Sequence, residues 1–430
     1  MLASLRRFFE IDSRGSTVGR EVRGAVATFL TMSYILVANP AILSGAGMPF
    51  APLVASTAAA AGVCCLLMGL FANFPIALAS GMGLNAVVAF QVAKATGSWQ
   101  AAMGIVVLDG VVILVLVLLG LREAMLNAIP EDLRRAIGAG IGLFIAFIGA
   151  VNARIVVAGP GGGPPVAYGS LHEKDTAIAL AGIVVTAFLM ARRVKGAILL
   201  GILFGTALAL WKGVAHLPTA YAAPSFAVAF HADVAGVMKA SFLPLLIAVI
   251  LVDFFDTLGT VTAISEEGAL RDAQGRIPRL RAILVVDSIA ASVGGLFGAS
   301  SVTSYIESAA GVAEGARTGL HSVVVGLLFL ACIFLAPLAS AVPACATAPA
   351  LILVGFLMAS QIARIDFAKL ETAIPAFVTL VTIQFTYSIT HGIGYGFITY
   401  VAIRTLSLRA AHPLMWAASG VFAWYFIWGQ

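Results

Sequence analysis

Pro75-Ile-Ala-Leu-Ala-Ser-Gly-Met-Gly-Leu-Asn-Ala86 and Gly298-Ala-Ser-Ser-Val-Thr-Ser-Tyr-Ile-Glu-Ser-Ala-Ala-Gly311 are both apolar enough to lie in a membrane, and both are crowded with Gly, Ser and Thr. Small residues in a membrane helix commonly serve tight packing. Here they recur at corresponding places in two halves of the chain, which points to something sharper. A helix interrupted at mid-membrane leaves backbone N–H and C=O groups where no water reaches, free to bond a ligand. The pattern therefore predicts one discontinuous helix in each half.

Working outward, apolar runs suited to crossing about 30 Å of hydrocarbon fall near residues 24–43, 51–72, 75–92, 100–121, 135–152, 175–191 and 196–212. A polar stretch from Gly213 to Lys239 separates them from a second set near 241–264, 281–297, 298–313, 319–341, 346–360, 370–388 and 391–407. In each set the third run is the interrupted one. Seven crossings per half is an odd number, so a second copy must be inverted relative to the first. The fold expected is an all-α integral membrane protein of 14 transmembrane segments in two inverted repeats. Pro413 to Trp428 reads either as a further span or as an interfacial helix.

The composition agrees: 61% of the 430 residues are hydrophobic and only 10% charged, with a mean hydropathy of +1.03, whereas a soluble domain carries roughly 25% charged residues. The formal charge of +5 suggests nucleic acid only until its placement is read. If residues 1–23, with their five arginines, are a retained cytoplasmic segment, only Lys94, Arg154, Lys174, Lys212 and Lys239 of the 25 Lys and Arg face outward. That bias is the signature of a multi-pass protein of the cell's inner (plasma) membrane with a cytoplasmic N-terminus. No nucleic-acid partner is expected; the lipid bilayer is.

Cys64, Cys65, Cys332 and Cys345 lie inside apolar runs without ligand spacing and read as small apolar residues. The histidines form no cluster. His172, His216 and His231 fall in external loops, while His321, His391 and His412 stand near span ends and read as interfacial. Gly159-Pro-Gly-Gly-Gly-Pro-Pro165 lacks the Lys-Ser/Thr of a phosphate loop and reads as an external turn. No metal site and no catalytic group is expected.

The chemistry lies in carboxylates. Asp109, Asp253, Asp256, Asp287 and Glu307 fall deep in predicted spans, and an ionisable group there is functional by default. Asp109 and Asp287, each alone in its span, read as ties between neighbouring helices. Asp253, Asp256 and Thr260 are spaced by three and four residues and share one helix face. Glu307 stands in the interrupted span of the same half. With no Lys or Arg deep in a span, a neutral ligand fits better than an anion. Carboxylates that accept hydrogen bonds when ionised and donate when protonated suit a flat heterocycle bearing ring N–H donors and ring-nitrogen acceptors, and one of them can take a coupling proton.

At these residues the chain resembles the nucleobase–cation symporters, in their AzgA-like branch of adenine, guanine and hypoxanthine permeases. The matching segments are Thr28-Phe-Leu-Thr-Met-Ser-Tyr-Ile-Leu-Val-Ala-Asn-Pro40, Ser80-Gly-Met-Gly-Leu-Asn-Ala86, Asp253 to Thr260, Ser304-Tyr-Ile-Glu-Ser-Ala-Ala-Gly311 and Thr347-Ala-Pro-Ala-Leu-Ile-Leu-Val-Gly355. The resemblance implies short antiparallel strands in spans 3 and 10. It implies a core domain of spans 1–4 (24–121) and 8–11 (241–341), a gate domain of spans 5–7 (135–212) and 12–14 (346–407), and a C-terminal apolar segment (408–430). By the same analogy a purine base lies between spans 3, 8 and 10, held by Asp256 and Glu307. Thr260, Tyr305, Ile306, Met82, Gly83 and Asn85 would border it. Met82 departs from the aromatic residue of other branches, and Ser388-Ile-Thr-His391 from their acidic or amide residue.

The resemblance further implies proton symport by elevator-type alternating access, with Asp253, Asp256 or Glu307 taking the proton, sodium as the alternative coupling ion, no cofactor, and a homodimer as the assembly to test for. Two readings compete: an anion carrier on the same fold, and an intramembrane enzyme using the carboxylates as an aspartyl pair.

Overall fold

The computed structural model describes residues 2–120, 129–159, 165–218, 223–267, 270, 277–339 and 341–428; side chains at 2, 240, 254–256, 258–259, 262–263, 266–267 and 428 lie outside the description. Among the described residues, seven helices are long and apolar enough to cross a membrane: Val18–Ala46 (span 1), Phe50–Ala72 (2), Trp99–Leu118 (4), Glu131–Asn152 (5), Lys174–Ala191 (6), Gly319–Ala339 (11) and Ala344–Arg364 (12). Further helices correspond to the other crossings: Ala197–Trp211 (7), Leu243–Glu267 (8), Leu280–Leu296 (9), Leu370–Thr386 (13) and Ile389–Leu406 (14). Span 3 is a three-residue strand, β1 (Leu78–Ser80), followed by a helix starting at Met82; span 10 is a strand, β4 (Val302–Ser304), followed by the helix Ser308–Ala313.

Several spans start on side-chain caps. Thr17 accepts from Arg20 N at 3.2 Å, Ser98 from Gln100 N at 3.1 Å, Thr318 from Leu320 N at 3.3 Å and Ser388 from His391 N at 3.2 Å. Each bond satisfies an N–H that the first helical turn leaves without a partner.

The inverted repeat is visible in the packing. Span 2 packs on span 11 and its counterpart span 9 on span 4; span 6 packs on 12 and its counterpart 13 on 5. Span 5 packs on its own counterpart, span 12, where a Cβ on Gly142 would stand 2.7 Å from the Gly355 carbonyl oxygen. Reciprocal glycines also join spans 2 and 11: a Cβ on Gly62 would lie 3.0 Å from Gly326 O, and one on Gly326 2.8 Å from Gly62 O. Lipid supplies no hydrophobic drive between helices, so this close approach supplies the van der Waals contact that does.

β1 pairs antiparallel with β4, Leu78 opposite Ser304, Ala79 opposite Thr303 and Ser80 opposite Val302. All six residues are buried. A second antiparallel pair, β2 (Val156–Ala158) with β3 (Val166–Tyr168), lies on either side of the glycine- and proline-rich Gly159–Pro165 segment. The sequence predicts a turn alone in this region; the flanking arms pair as strands, Val157 opposite Ala167, and residues 160–164 lie outside the described residues.

The last helix, Pro413–Trp428, has 16 residues and so a length of about 24 Å. It lies along span 14. Phe422 meets Phe397 with centroids 6.0 Å apart, and Phe426 stacks on Tyr395 at 4.8 Å and His391 at 5.1 Å.

Candidate functional site

Strands of three residues cannot hold themselves together, and their surroundings do it for them. Gly81 N donates to Ser301 O at 2.9 Å and Tyr305 N to Ala77 O at 3.0 Å, extending the ladder at both ends. Ala77 N donates to Ser308 Oγ at 3.0 Å. The outer edge of β1 is met by span 2, where Cys65 Sγ lies 3.1 Å from both Leu78 N and Leu78 O. This corrects the reading of Cys65 as merely a small apolar residue: it takes up strand-edge groups that lipid could not.

Span 9 supplies the counterpart. Asp287 accepts from Ser304 N at 3.1 Å, from Ser304 Oγ at 2.8 Å and from Thr257 Oγ1 at 2.5 Å. Because the Thr257 proton goes to Asp287, it is Thr303 Oγ1 that donates across the 2.9 Å contact to Thr257 Oγ1. Asp287 is thus the tie between spans 8 and 9 and β4 that a lone carboxylate suggested. Asp109 is fully buried in span 4, beside the Gly110 contact with span 9.

Span 8 brings its residues to the same strand. Asp253 is 1% exposed and accepts from Ser301 Oγ at 2.9 Å. Thr260, on the same face, is buried. Asp256 lies on this helix between them, and its side chain is outside the described residues. Span 1 adds Asn39, whose Nδ2 donates to Thr57 Oγ1 at 2.8 Å and to Ala299 O at 3.1 Å. No local signal singles out Asn39, although it lies within the Thr28–Pro40 segment.

On the span 3 side, Ser80 Oγ donates to the Ala299 carbonyl and lies 2.9 Å from Asn85 Oδ1. The Asn85 amide nitrogen is fully buried and without a hydrogen-bond partner among the described residues. Met82 is buried. Gly83 faces spans 5 and 12: a Cβ there would stand 3.1 Å from Ile141 Cγ2 and 3.6 Å from Met358 Cε. Tyr305 is buried with its hydroxyl donating to Ser80 O at 2.5 Å, so it braces one interrupted span against the other.

Ile306 and Glu307 differ from these. Ile306 is 49% exposed, and Glu307 is half-buried. Glu307 Oε1 accepts from Tyr34 OH at 2.8 Å, and no other side chain among the described residues bonds this carboxyl. Tyr34 carries no signal in the sequence beyond its place in the Thr28–Pro40 segment. His321, expected at an interface, is instead fully buried, its Nε2 2.8 Å from Thr28 Oγ1. The small residues Gly24 and Gly311 let spans 1 and 10 close over it. Among the described residues no three His, Cys, Asp or Glu side chains are placed to hold a metal ion.

Each interrupted span thus carries a polar group with bonding capacity left over: the Glu307 carboxylate just past β4, and the buried Asn85 amide just past β1. Comparison with known proteins gives the class of the protein. The profile of the Permease family matches residues 19–394. The chain is 41% identical over 414 residues to the adenine permease AdeP of Escherichia coli (strain K12), covering 95% of this chain and 93% of that protein. It is 38% identical over 440 residues to the guanine/hypoxanthine permease PbuG of Bacillus subtilis (strain 168), covering 98% and 99%. Among solved structures it is similar to the transmembrane domain of a cyanobacterium bicarbonate transporter, BicA, with a TM-score of 0.62 at 18% identity over 89% of this chain and 97% of that one. The last likeness is one of fold alone. Relatives named permeases set the intramembrane-enzyme reading aside.

Proposed function

We propose, from the premise that this chain belongs to the Permease family of membrane transporters, that it imports purine nucleobases into the cell across the plasma membrane. The substrate class rests on the relatives, named for adenine and for guanine and hypoxanthine. The observation that carries it in this molecule is Glu307, three residues past β4, with one oxygen held by Tyr34 and no other described side chain on the carboxyl. A purine ring has N–H donors for the other oxygen and ring nitrogens that the Asn85 amide can bond.

In this reading Asp256 and Glu307 hold the ring; Thr260, Tyr305, Ile306, Met82 and Gly83 surround it. The proton rides on Asp253, Asp256 or Glu307. Asp287 is a poor candidate for that task, because its carboxyl is already engaged by three donors of the protein. Spans 1–4 and 8–11 form the core that moves and spans 5–7 and 12–14 the gate, a division supported by the packing of 2 on 11, 4 on 9, and 5 on 12 and 13. The N-terminus is cytoplasmic.

The test is uptake of labelled hypoxanthine into proteoliposomes. Glu307→Gln is expected to abolish uptake while the protein stays folded and inserted; uptake at the normal rate would remove Glu307 from the site. Addition of adenine to energised vesicles should alkalinise the medium, whereas uptake that needs sodium and moves no protons would replace the coupling ion.

A further inference from the structure

We propose that Tyr34 is the positioning residue for Glu307: its phenol holds Oε1, so that Oε2 alone is presented to the ligand and is the oxygen that takes any proton Glu307 binds. This inference rests on the reading of Glu307 as a binding group.

Span 1 is broken where Tyr34 stands. Its first helix runs Val18–Met32 and its second Ile35–Leu43, with Ser33 and Tyr34 at the joint. The first arm packs on the span 10 helix Ser308–Ala313, and the second on the span 3 helix beginning at Met82 and on β1. The joint therefore lies opposite the gap between the interrupted spans, with one arm on each. Tyr34 is 2% exposed, its ring fixed by packing, and its hydroxyl reaches Glu307 Oε1 at 2.8 Å.

A glutamate side chain set loose in a cavity has three rotatable bonds, and ordering it when a ligand arrives weakens binding. A phenol on a packed ring removes that freedom beforehand. The hydroxyl also decides between two oxygens that are otherwise equivalent. Toward a carboxylate a tyrosine O–H can only donate. Oε1 accepts it whether Glu307 is ionised or protonated, so an added proton goes to Oε2. The same atom then accepts from a ring N–H in one state and donates to a ring nitrogen in the other. Tyr34 thereby fixes both the direction of the ligand bond and the seat of the proton.

The experiment measures hypoxanthine binding to the full-length protein in nanodiscs, and uptake kinetics, for wild type, Tyr34→Phe, Glu307→Gln and the double variant. Thermal melts confirm that each is folded. Tyr34→Phe keeps the ring and removes only the hydroxyl, and we expect binding about tenfold weaker, from one lost charge-assisted hydrogen bond. In uptake it should raise KM at unchanged maximal rate, which a merely structural defect would not do. In the Glu307→Gln background the same change should add nothing further. Normal binding by Tyr34→Phe beside weakened Glu307→Gln overturns the role of Tyr34 and leaves that of Glu307 standing. Normal binding by Glu307→Gln overturns both. A full tenfold loss added in the double variant means that Tyr34 acts on its own, and also overturns the inference. Should Glu307→Gln bind too weakly to score, the kinetic split decides: a lowered maximal rate at unchanged KM counts against Tyr34.

Discussion

The Gln91 side-chain oxygen accepts two hydrogen bonds from Thr390, one from its backbone N–H at 3.1 Å and one from its hydroxyl at 2.8 Å. Gln91 belongs to the helical part of span 3 and Thr390 to the first turn of span 14, so one buried carboxamide fastens two groups of spans. Beside it Phe90 meets Phe144 of span 5 and Tyr387 at the end of span 13, with centroids 6.3 and 6.2 Å apart. Removing the acceptor leaves two donors of Thr390 in a buried setting, a loss of roughly 1–3 kcal/mol. Gln91→Ala should therefore loosen this closure, and a cysteine introduced at Phe144 should react faster with an impermeant thiol reagent added outside. Labelling no faster than in the parent protein would mean that the bond fastens nothing that moves.

Asp287→Asn should behave as a folding variant rather than a transport variant. The carboxylate takes three donors, including a strand N–H, and the amide presents its own N–H groups to some of them. A loss of about 3 kcal/mol is expected, the scale of breaking a buried charged network. The yield of monodisperse protein and the melting temperature should both fall. A variant that melts like wild type yet fails to transport would move Asp287 into the binding site.

Two glycines of span 5 should respond in opposite ways. A Cβ on Gly142 would stand 2.6 Å from Met358 Cβ and 2.7 Å from Gly355 O, whereas one on Gly138 meets nothing within 4 Å. Gly142→Ala should force spans 5 and 12 apart and cost on the order of 1–3 kcal/mol. Gly138→Ala should be neutral, or stabilising by about 0.5–1 kcal/mol through helix propensity. Melting curves of the two variants, measured side by side in one detergent, decide it.

Acid should release the N-terminal segment. Hydrogen bonding to Arg14, opposed by partial burial and aided by the charges of Arg14 and Arg279, holds the Glu10 carboxyl below the ordinary glutamate value, near 4.3. Its Oε2 lies 2.7 Å from Arg14 Nη2 and its Oε1 2.7 Å from Arg279 Nη2. A lowered value in the folded state means that the stabilising contribution is complete above the ordinary value and disappears as pH falls through the lowered one. Protease cleavage within residues 1–15 should accelerate below about pH 4, and Glu10→Gln should show the faster rate already at pH 7. A rate flat from pH 7 to pH 3 would assign the docking to the buried side chains of Phe9 and Ile11, which pack with Leu320 of span 11.

The crossings are legible because apolar length and basic loops are written directly in the sequence, and the interruptions because Gly, Ser and Thr stand where a lipid-facing helix would carry Leu. The spacing of Asp253 and Thr260 places both on one buried face of span 8, as the geometry has them. Partners are not legible. Nothing local distinguishes Tyr34 from a tyrosine at a membrane interface, or Cys65 from an alanine, because each acts on a group from a distant part of the chain. His321 misleads for the same reason: its place at a span end says interface, and only the close approach of Gly24 and Gly311 encloses it. The pair β2–β3 escapes because three-residue arms show no period.

The pairing of β1 with β4 sets an order of events during synthesis. Tyr305 and the Ser80 carbonyl it bonds are 225 residues apart, which at ribosomal speeds of roughly 5–20 residues per second is a wait of about 10–45 s. Until the second half emerges, the Leu78–Ser80 backbone sits in the bilayer with one edge lacking its partner, a state that invites capture by any other extended segment. Halves expressed as separate polypeptides should accordingly survive together and be degraded apart.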